Sequence, residues 1–387
     1  MPLHTASFEE IRAGKTTDVY FEHTRRILEA RRRNPRVRAE FVAKMLPRDW
    51  LWAVLAGIEE CVALLEGYDV TVRAMAEGTV FHPLQPVLEI EGPYLEFGRL
   101  ETAVLGLLCQ ATGIATAAAR CKRLAGERLV LSFGARRLHP TVTPMIERAA
   151  YIGGCDGVSS LAAGQLIQRD PTGTIPHALI LILGDTVDAV RAFDEAIDPD
   201  VPRVALIDTF QDEKFEALRV AEALGERLHA VRLDTPSSRR GNFLQLIREV
   251  RWELDLRGYR HVRIYVSGGI DEEEIQQLAP VADGFGVGAA ISAAPIVDFS
   301  MDIVEMEKTP LAKRGKWSGA KQVWRCPQCD ADALLPLAEE GSPCGCGGRR
   351  EPLLLPLLAG GRLARELPPP QAIRDFVLGQ VAHLPAP

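Results

Sequence analysis

From about residue 129 the chain alternates short, continuous apolar runs with amphipathic stretches. The runs at 129–133, 203–207, 229–233, 262–266 and 284–287 predict strands, and the intervals 186–196, 213–224, 242–256 and 272–279 predict helices. Strands that are apolar throughout, spaced by amphipathic helices, imply a parallel sheet covered on both faces. The runs end in polar or glycine-rich sequence: SFGARR, IDTF, RLDTPSS, VSGGI and GFGVG. Chemistry gathered at the carboxyl ends of parallel strands is how an α/β barrel builds a site. An open dinucleotide-binding sheet would do the same, but its first unit would carry GxGxxG, which is missing. A barrel is the expected fold.

The first third has a different texture. Residues 41–66 place Trp50, Trp52, Leu55, Ile58 and Val62 at helical spacing and predict a helix. From Tyr68, short Val, Ile and Leu runs punctuated by Gly78, Pro83, Pro86, Gly92 and Pro93 predict antiparallel strands joined by turns. The Ala- and Leu-rich stretch 101–124 predicts a buried helix or helix pair. After Ile296 the pattern loosens through the basic stretch KTPLAKRGKWSGAKQ, and the chain closes on a helical pattern at Pro370–Val381. No internal repeat is present beyond the strand–helix rhythm.

Length adds a domain count: 387 residues suggest two or three domains at about 150 residues each. The 45 basic and 52 acidic residues give a net charge of -7, which argues against a nucleic-acid-coating protein. The Arg31-Arg32-Arg33 run within 25–38 then reads as a solvated face. Met1-Pro2-Leu3-His4 shows no basic leader, and no apolar run reaches the ~18–20 residues of a membrane span, so a cytoplasmic protein with no membrane or nucleic-acid partner is expected.

Cysteine divides the chain. Cys61, Cys109, Cys121 and Cys155 are scattered among apolar neighbours, whereas Cys326, Cys329, Cys344 and Cys346 fall within one short segment. Two close pairs on glycine-rich turns suit a tetrahedral, structural Zn²⁺ in a reducing compartment. The second pair, spaced CxC, is tighter than the usual knuckle, so reduced surface thiols are the competing reading.

The strand ends carry the rest of the chemistry. Ser267-Gly268-Gly269 and Gly286-Val287-Gly288 close consecutive strand units, and such turns can cradle a phosphate on backbone N–H groups. Asp208 and Asp234 close two earlier strands, where a carboxylate can take a sugar hydroxyl or a Mg²⁺-bound water, although an Asx turn or helix cap would also explain either. Arg136 and Arg137 follow Phe133-Gly134, with His139 beyond, and can clamp a carboxylate or phosphate. Asp156 sits in the flexible GGCDG run, and Thr174 and His177 in GTIPHAL. His177 is read as a base, a phosphate ligand or a phosphoryl acceptor, against a helix-start histidine with no chemical role.

Taken in order along the chain, TTDVYF (16–21), SFGARRLHP (132–140), AAYIGGCDGVSS (149–160), GTIPHAL (173–179), IDTF (207–210), RLDT (232–235), VSGGI (266–270) and FGVG (285–288) resemble the nicotinate phosphoribosyltransferases, of the shorter bacterial and archaeal type with a zinc-knuckle-like tail. The resemblance implies an α/β fold: an irregular α/β barrel of the type II phosphoribosyltransferases, an N-terminal α/β sandwich domain and a small C-terminal zinc-knuckle-like domain. The corresponding bounds are 1–115 (completed in one reading by 297–321), 116–296 and 322–387. It implies transfer of phosphoribose from phosphoribosyl pyrophosphate to nicotinate with Mg²⁺, in NAD salvage, coupled to ATP hydrolysis through phosphorylation of His177. It also implies a homodimer or larger oligomer with shared active sites, Tyr20 reaching across to the neighbour's nicotinate. Relatives acting on quinolinate or nicotinamide share the architecture; quinolinate, with two carboxylates, needs a more cationic pocket than Arg136 and Arg137 supply. A non-enzymatic protein that binds a phosphorylated ligand, with the zinc tail as an interaction module, is the reading from a different class.

Overall fold

The computed structural model describes residues 3–384; residues 1–2 and 385–387, at the two ends of the expected domain bounds, lie outside the described residues, and with them the first half of the Met1-Pro2-Leu3-His4 stretch. The fold is mixed α/β, and the chain divides into two compact units, Met1–Thr116 with Pro295–Gln380 and Ala117–Ala294 with Val381–Pro387.

The first unit holds a seven-stranded antiparallel sheet in the order 309–310, 299–306, 36–43, 86–93, 71–74, 355–359, 362–363. In Arg36–Ala43, Val37, Ala39 and Phe41 are buried as apolar residues, while the intervening charges are paired. Arg38 meets Glu89 at 2.8 Å and Glu305 at 2.7 Å, and Glu40 meets Lys321 at 2.8 Å. The helix read at 41–66 is therefore wrong over most of its length. Its first residues end a strand, Arg48 and Asp49 take left-handed φ of 52° and 55° after Pro47, and helix begins only at Ile58–Leu65. Trp50 and Trp52 are buried without being helical, so their spacing records tertiary packing.

The loosened pattern after 296 conceals the strand Phe299–Met306, which pairs with Arg36–Ala43, and from the expected tail Leu355–Ala359 pairs with Thr71–Ala74. The antiparallel strands after Tyr68 are Thr71–Ala74, Val80–Phe81 and Pro86–Pro93. Glu101–Ala125 is one helix. The stretch Tyr94–Ala125 is long and apolar enough to cross a membrane by length and composition, contrary to the expectation from apolar runs, but 67% of its apolar window is buried within the protein, the behaviour of a core helix.

In the second unit the five expected strands form at Leu129–Ser132, Arg203–Leu206, Leu228–Leu233, Arg263–Val266 and Gly284–Val287. All pair in parallel, in the order 129–132, 284–287, 263–266, 228–233, 203–206, and a parallel bridge from Leu131 to Gly157 extends the first edge. Helices Thr186–Ala196, Glu213–Leu224, Phe243–Leu256 and Glu272–Leu278 occupy the expected intervals. The result is the parallel, barrel-like core of an irregular α/β barrel. Asp271 caps the last of these helices, its Oδ1 accepting from the Glu274 amide at 3.0 Å, while the Glu274 carboxylate pairs with Arg240 at 2.9 Å.

Candidate active site

The five parallel strands end, in chain order, immediately before Phe133, Ile207-Asp208, Asp234, Ser267 and Gly288. Because the strands run the same way, these termini lie on one edge of the sheet. The side chain of Asp208 is buried, 3% exposed. Its two oxygens lie 3.1 and 3.2 Å from Nε2 of His177, the first residue of the helix His177–Leu183. Burial pushes the Asp208 carboxyl above the ordinary aspartate value, His177 pulls it down, and the neighbouring charge of Asp234 raises it again. His177 makes no cap with its side chain, so the helix-start reading fails to describe what it does.

Asp234 accepts from Ser267 Oγ at 2.8 Å, and that hydroxyl also accepts from Arg232 Nη1 at 3.0 Å. Arg232 is the residue that the sequence reading missed. It lies inside the strand Leu228–Leu233 and is only 9% exposed, with its guanidinium 3.5 Å from Asp234 and 5.9 Å above the Phe133 ring. Burial lowers its pKa, Asp234 and Asp208 raise it, and Arg136 lowers it further by repulsion, which puts Arg136 within electrostatic reach. The available signal was a charge in an otherwise apolar strand. Such a residue is rarely buried without a partner or a task.

Two glycines shape this edge. Gly268 has φ +84°, and a Cβ there would sit 2.9 Å from Asp234 Oδ1, so no other residue allows that carboxylate to close on Ser267. At Gly286 a Cβ would meet the Phe133 ring at 2.4 Å, making this glycine the seat of that ring. Gly286 and Val287 pair within the ladder with Leu131 and Ser132, and only Gly288 lies beyond the strand.

The remaining expected residues are distributed unevenly. Arg136 and Arg137 form a short 3₁₀ turn after Gly134; both are exposed, and neither has an ion-pair partner among the described residues. Thr174 lies in the extended loop leading to His177. His139 is exposed and caps its own turn, accepting from the Thr141 amide at 3.3 Å. Asp156 is not brought to the strand ends: its carboxylate takes Lys122 at 2.9 Å and the Val130 amide at 2.8 Å, bracing the early part of Leu129–Ser132. Tyr20 belongs to the other unit and is 57% exposed on Val19–Ala30.

Two family profiles cover most of the chain: the quinolinate phosphoribosyl transferase N-terminal domain over residues 18–112, and the C-terminal domain of the same family over 114–302. The chain belongs to this family. It is similar in structure to the nicotinate-nucleotide pyrophosphorylase of Pyrococcus furiosus, with a TM-score of 0.97 and 52% identity covering 100% of both chains. It is similar in sequence to the nicotinate phosphoribosyltransferase pncB2 of Mycobacterium tuberculosis, 31% identical over 329 residues, 81% of this chain and 69% of that protein. The human nicotinic acid phosphoribosyltransferase shares the fold, with a TM-score of 0.75 at 22% identity, covering 95% of this chain and 93% of that one. The family profiles correct the expectation of a nicotinate-specific transferase, and with it the nicotinate partner and the ATP-coupled phosphohistidine. The physical reason lies in the cations. The objection to quinolinate counted Arg136 and Arg137 alone and overlooked the buried Arg232.

A second cluster lies in the first unit, on the small sheet of Lys321–Arg325, Asp332–Pro336 and Glu351–Pro352. The Sγ atoms of Cys326, Cys329, Cys344 and Cys346 all lie within 4.8 Å of one another, with close approaches of 3.5 Å (Cys326 to Cys346) and 3.4 Å (Cys329 to Cys344). Four thiolates around a tetrahedral ion with bonds of about 2.3 Å stand about 3.8 Å apart, so this cluster can chelate a metal. All eight cysteines lie among the described residues, and none is in a disulfide.

Proposed function

We propose that this chain is a quinolinate phosphoribosyltransferase: it joins phosphoribose from phosphoribosyl pyrophosphate to the ring nitrogen of quinolinate. The observation that carries the reading is the buried Arg232 beside Asp234, with Arg136 within electrostatic reach, at the strand ends of a member of this family. A substrate with two carboxylates calls for more than one guanidinium, and planar forks suit carboxylates better than lysines do.

As the C1–O bond to pyrophosphate lengthens, positive charge gathers at C1 of the ribose and the ring nitrogen adds to it. The chain's task is alignment and charge placement. Asp208 and Asp234 face the ribose, and His177 holds the Asp208 carboxylate in register. Backbone at Gly268, Gly269 and Gly288, half-buried except at the exposed Gly269, receives the 5-phosphate. The same two aspartates would hold Mg²⁺, which supplies neutralisation of the diphosphate when bound; their mutual repulsion fits a cation between or near them. Ribosylation gives the ring nitrogen a positive charge next to the 2-carboxylate. That carboxylate then leaves as CO2, its electron pair stays on C2, and a solvent proton completes nicotinate mononucleotide. The pyrophosphate released on mixing quinolinate with phosphoribosyl pyrophosphate and Mg²⁺ is expected to require both substrates; binding with no release would leave a ligand-binding protein instead.

The four thiolates are those of a structural zinc site. Purified protein is expected to carry about one zinc per chain, and Cys329→Ser to lose that zinc and melt earlier while kcat/KM stays within about threefold. Metal analysis finding no zinc after growth in zinc-supplemented medium would refute this.

A further inference from the structure

The opposite end of the parallel sheet is also built for chemistry. Just before three adjacent strands, at Arg128, at 260–262 and at 280–283, the chain lines a cleft of about 790 Å³. Arg128, Arg248, Arg251, Arg260 and Arg263 contribute to it, with no lysine, and the acidic residues are Asp255 and Asp283 alone. That is a local excess of positive charge in a protein of net charge -7. Its acids are already engaged: Asp255 with Arg251 at 2.8 Å, and Asp283 with the Ile264 amide at 2.8 Å. His261 faces Glu226 at 3.8 Å.

The arginines fall into two groups. Arg128 and Arg251 are pinned as walls, Arg128 by Nε donating to the Ala282 carbonyl at 3.0 Å and Arg251 by Nη2 donating to the Tyr259 carbonyl at 3.0 Å. Arg251 Nε is buried without a hydrogen-bond partner. Arg248 and Arg260 are exposed, and their side chains have no ion pair or hydrogen bond among the described residues. Arg248, Arg251, Trp252 and Asp255 stand at i, i+3, i+4 and i+7 of Phe243–Leu256, hence on one helix face, and Trp252 is 68% exposed. Guanidiniums lining one cleft repel one another, and the Trp252 indole beside them keeps most of its apolar face in water. A ligand carrying both an anion and a flat aromatic ring relieves both costs.

We infer that this cleft is a second binding site, separate from the strand-end site, and that it takes a mononucleotide: phosphate on Arg248 and Arg260, base on the Trp252 face. The inference stands independently of the transferase reading. Calorimetric titration with AMP tests it, using the parent protein and the strand-end variant Arg232→Met. AMP is expected to bind both, more weakly as salt rises. Arg248→Glu with Arg260→Glu, both on the surface, should weaken AMP at least tenfold and leave cooperative melting unchanged, and Trp252→Ala should weaken AMP about tenfold but inorganic phosphate hardly at all. Unchanged AMP affinity in the double variant, loss of AMP binding in Arg232→Met, an equal effect of Trp252→Ala on phosphate and AMP, or tighter binding of a single-stranded RNA 20-mer than of AMP would each overturn it.

Discussion

Replacing Arg232 with Met is expected to lower kcat/KM for quinolinate about 1000-fold while the protein still melts cooperatively. Arg232 is buried, yet it is not a well-satisfied structural residue: its closest bond, to Ser267 Oγ, is 3.0 Å, its contacts to Asp234 and the Ile175 carbonyl are both 3.5 Å, and its Nε has no partner. Removing it leaves Asp234 still held by Ser267 at 2.8 Å, so the fold loses little that it depends on. A substrate carboxylate would lose a charge-assisted contact in a desolvated place, which costs several kcal/mol. Arg232→Lys keeps the charge without the planar fork and should recover about tenfold of the loss. The readout that a merely structural role would not move is specificity: the preference for quinolinate over nicotinate should narrow in Arg232→Met. A kcat/KM within threefold of the parent would remove Arg232 from the site.

Asp208→Asn should separate stability from function. Burial first, and the charge of Asp234 after it, hold the Asp208 carboxyl above its ordinary value despite the opposing pull of His177. The folded protein therefore binds this proton more tightly than the unfolded chain. Stability contributed by the group is highest below the ordinary aspartate range and falls as pH rises through the raised folded value. The Asn variant lacks that penalty. It should melt higher than the parent at neutral pH, with the gap closing as pH is lowered below the ordinary aspartate range, and lose about 100-fold or more in kcat because the carboxylate facing the ribose is gone. Melting curves across pH, beside single-turnover rates, check both halves. A variant less stable than the parent at neutral pH would mean that the pair with His177 outweighs the burial.

What was legible in advance follows from how far each feature depends on long-range pairing. The five parallel strands and four of the second unit's helices were readable because each is a local pattern, and residues 186–196 and 213–224 match the observed helices at both ends, whereas the helix Thr143–Ile152 was not read. The cysteine cluster was readable for the same reason. The first unit was harder: the strand Phe299–Met306 is defined by its partner across the sheet, and the apolar spacing around Trp50 and Trp52 belongs to a kinked segment. Asp156 reads as a substrate carboxylate ligand in a flexible glycine run, but its carboxylate is held by Lys122, 34 residues away. Arg232 was hidden differently. Its position in the strand was plain, while its approach to Ser267 and Asp234 depends on how neighbouring strands are staggered, with Arg232 opposite Tyr265 and Leu233 opposite Val266. Counting only the visible Arg136 and Arg137 understated the cationic character of the site and tilted the substrate toward a single carboxylate.

The most direct measurement gives the protein phosphoribosyl pyrophosphate, Mg²⁺ and either quinolinate labelled in its 2-carboxylate or nicotinate. Labelled CO2 should appear in step with pyrophosphate, and kcat/KM for nicotinate should be about 100-fold lower or less, since a single carboxylate leaves a guanidinium unpaired in the site. Nicotinate turned over as well as quinolinate, with pyrophosphate released and no CO2, would contradict the assignment.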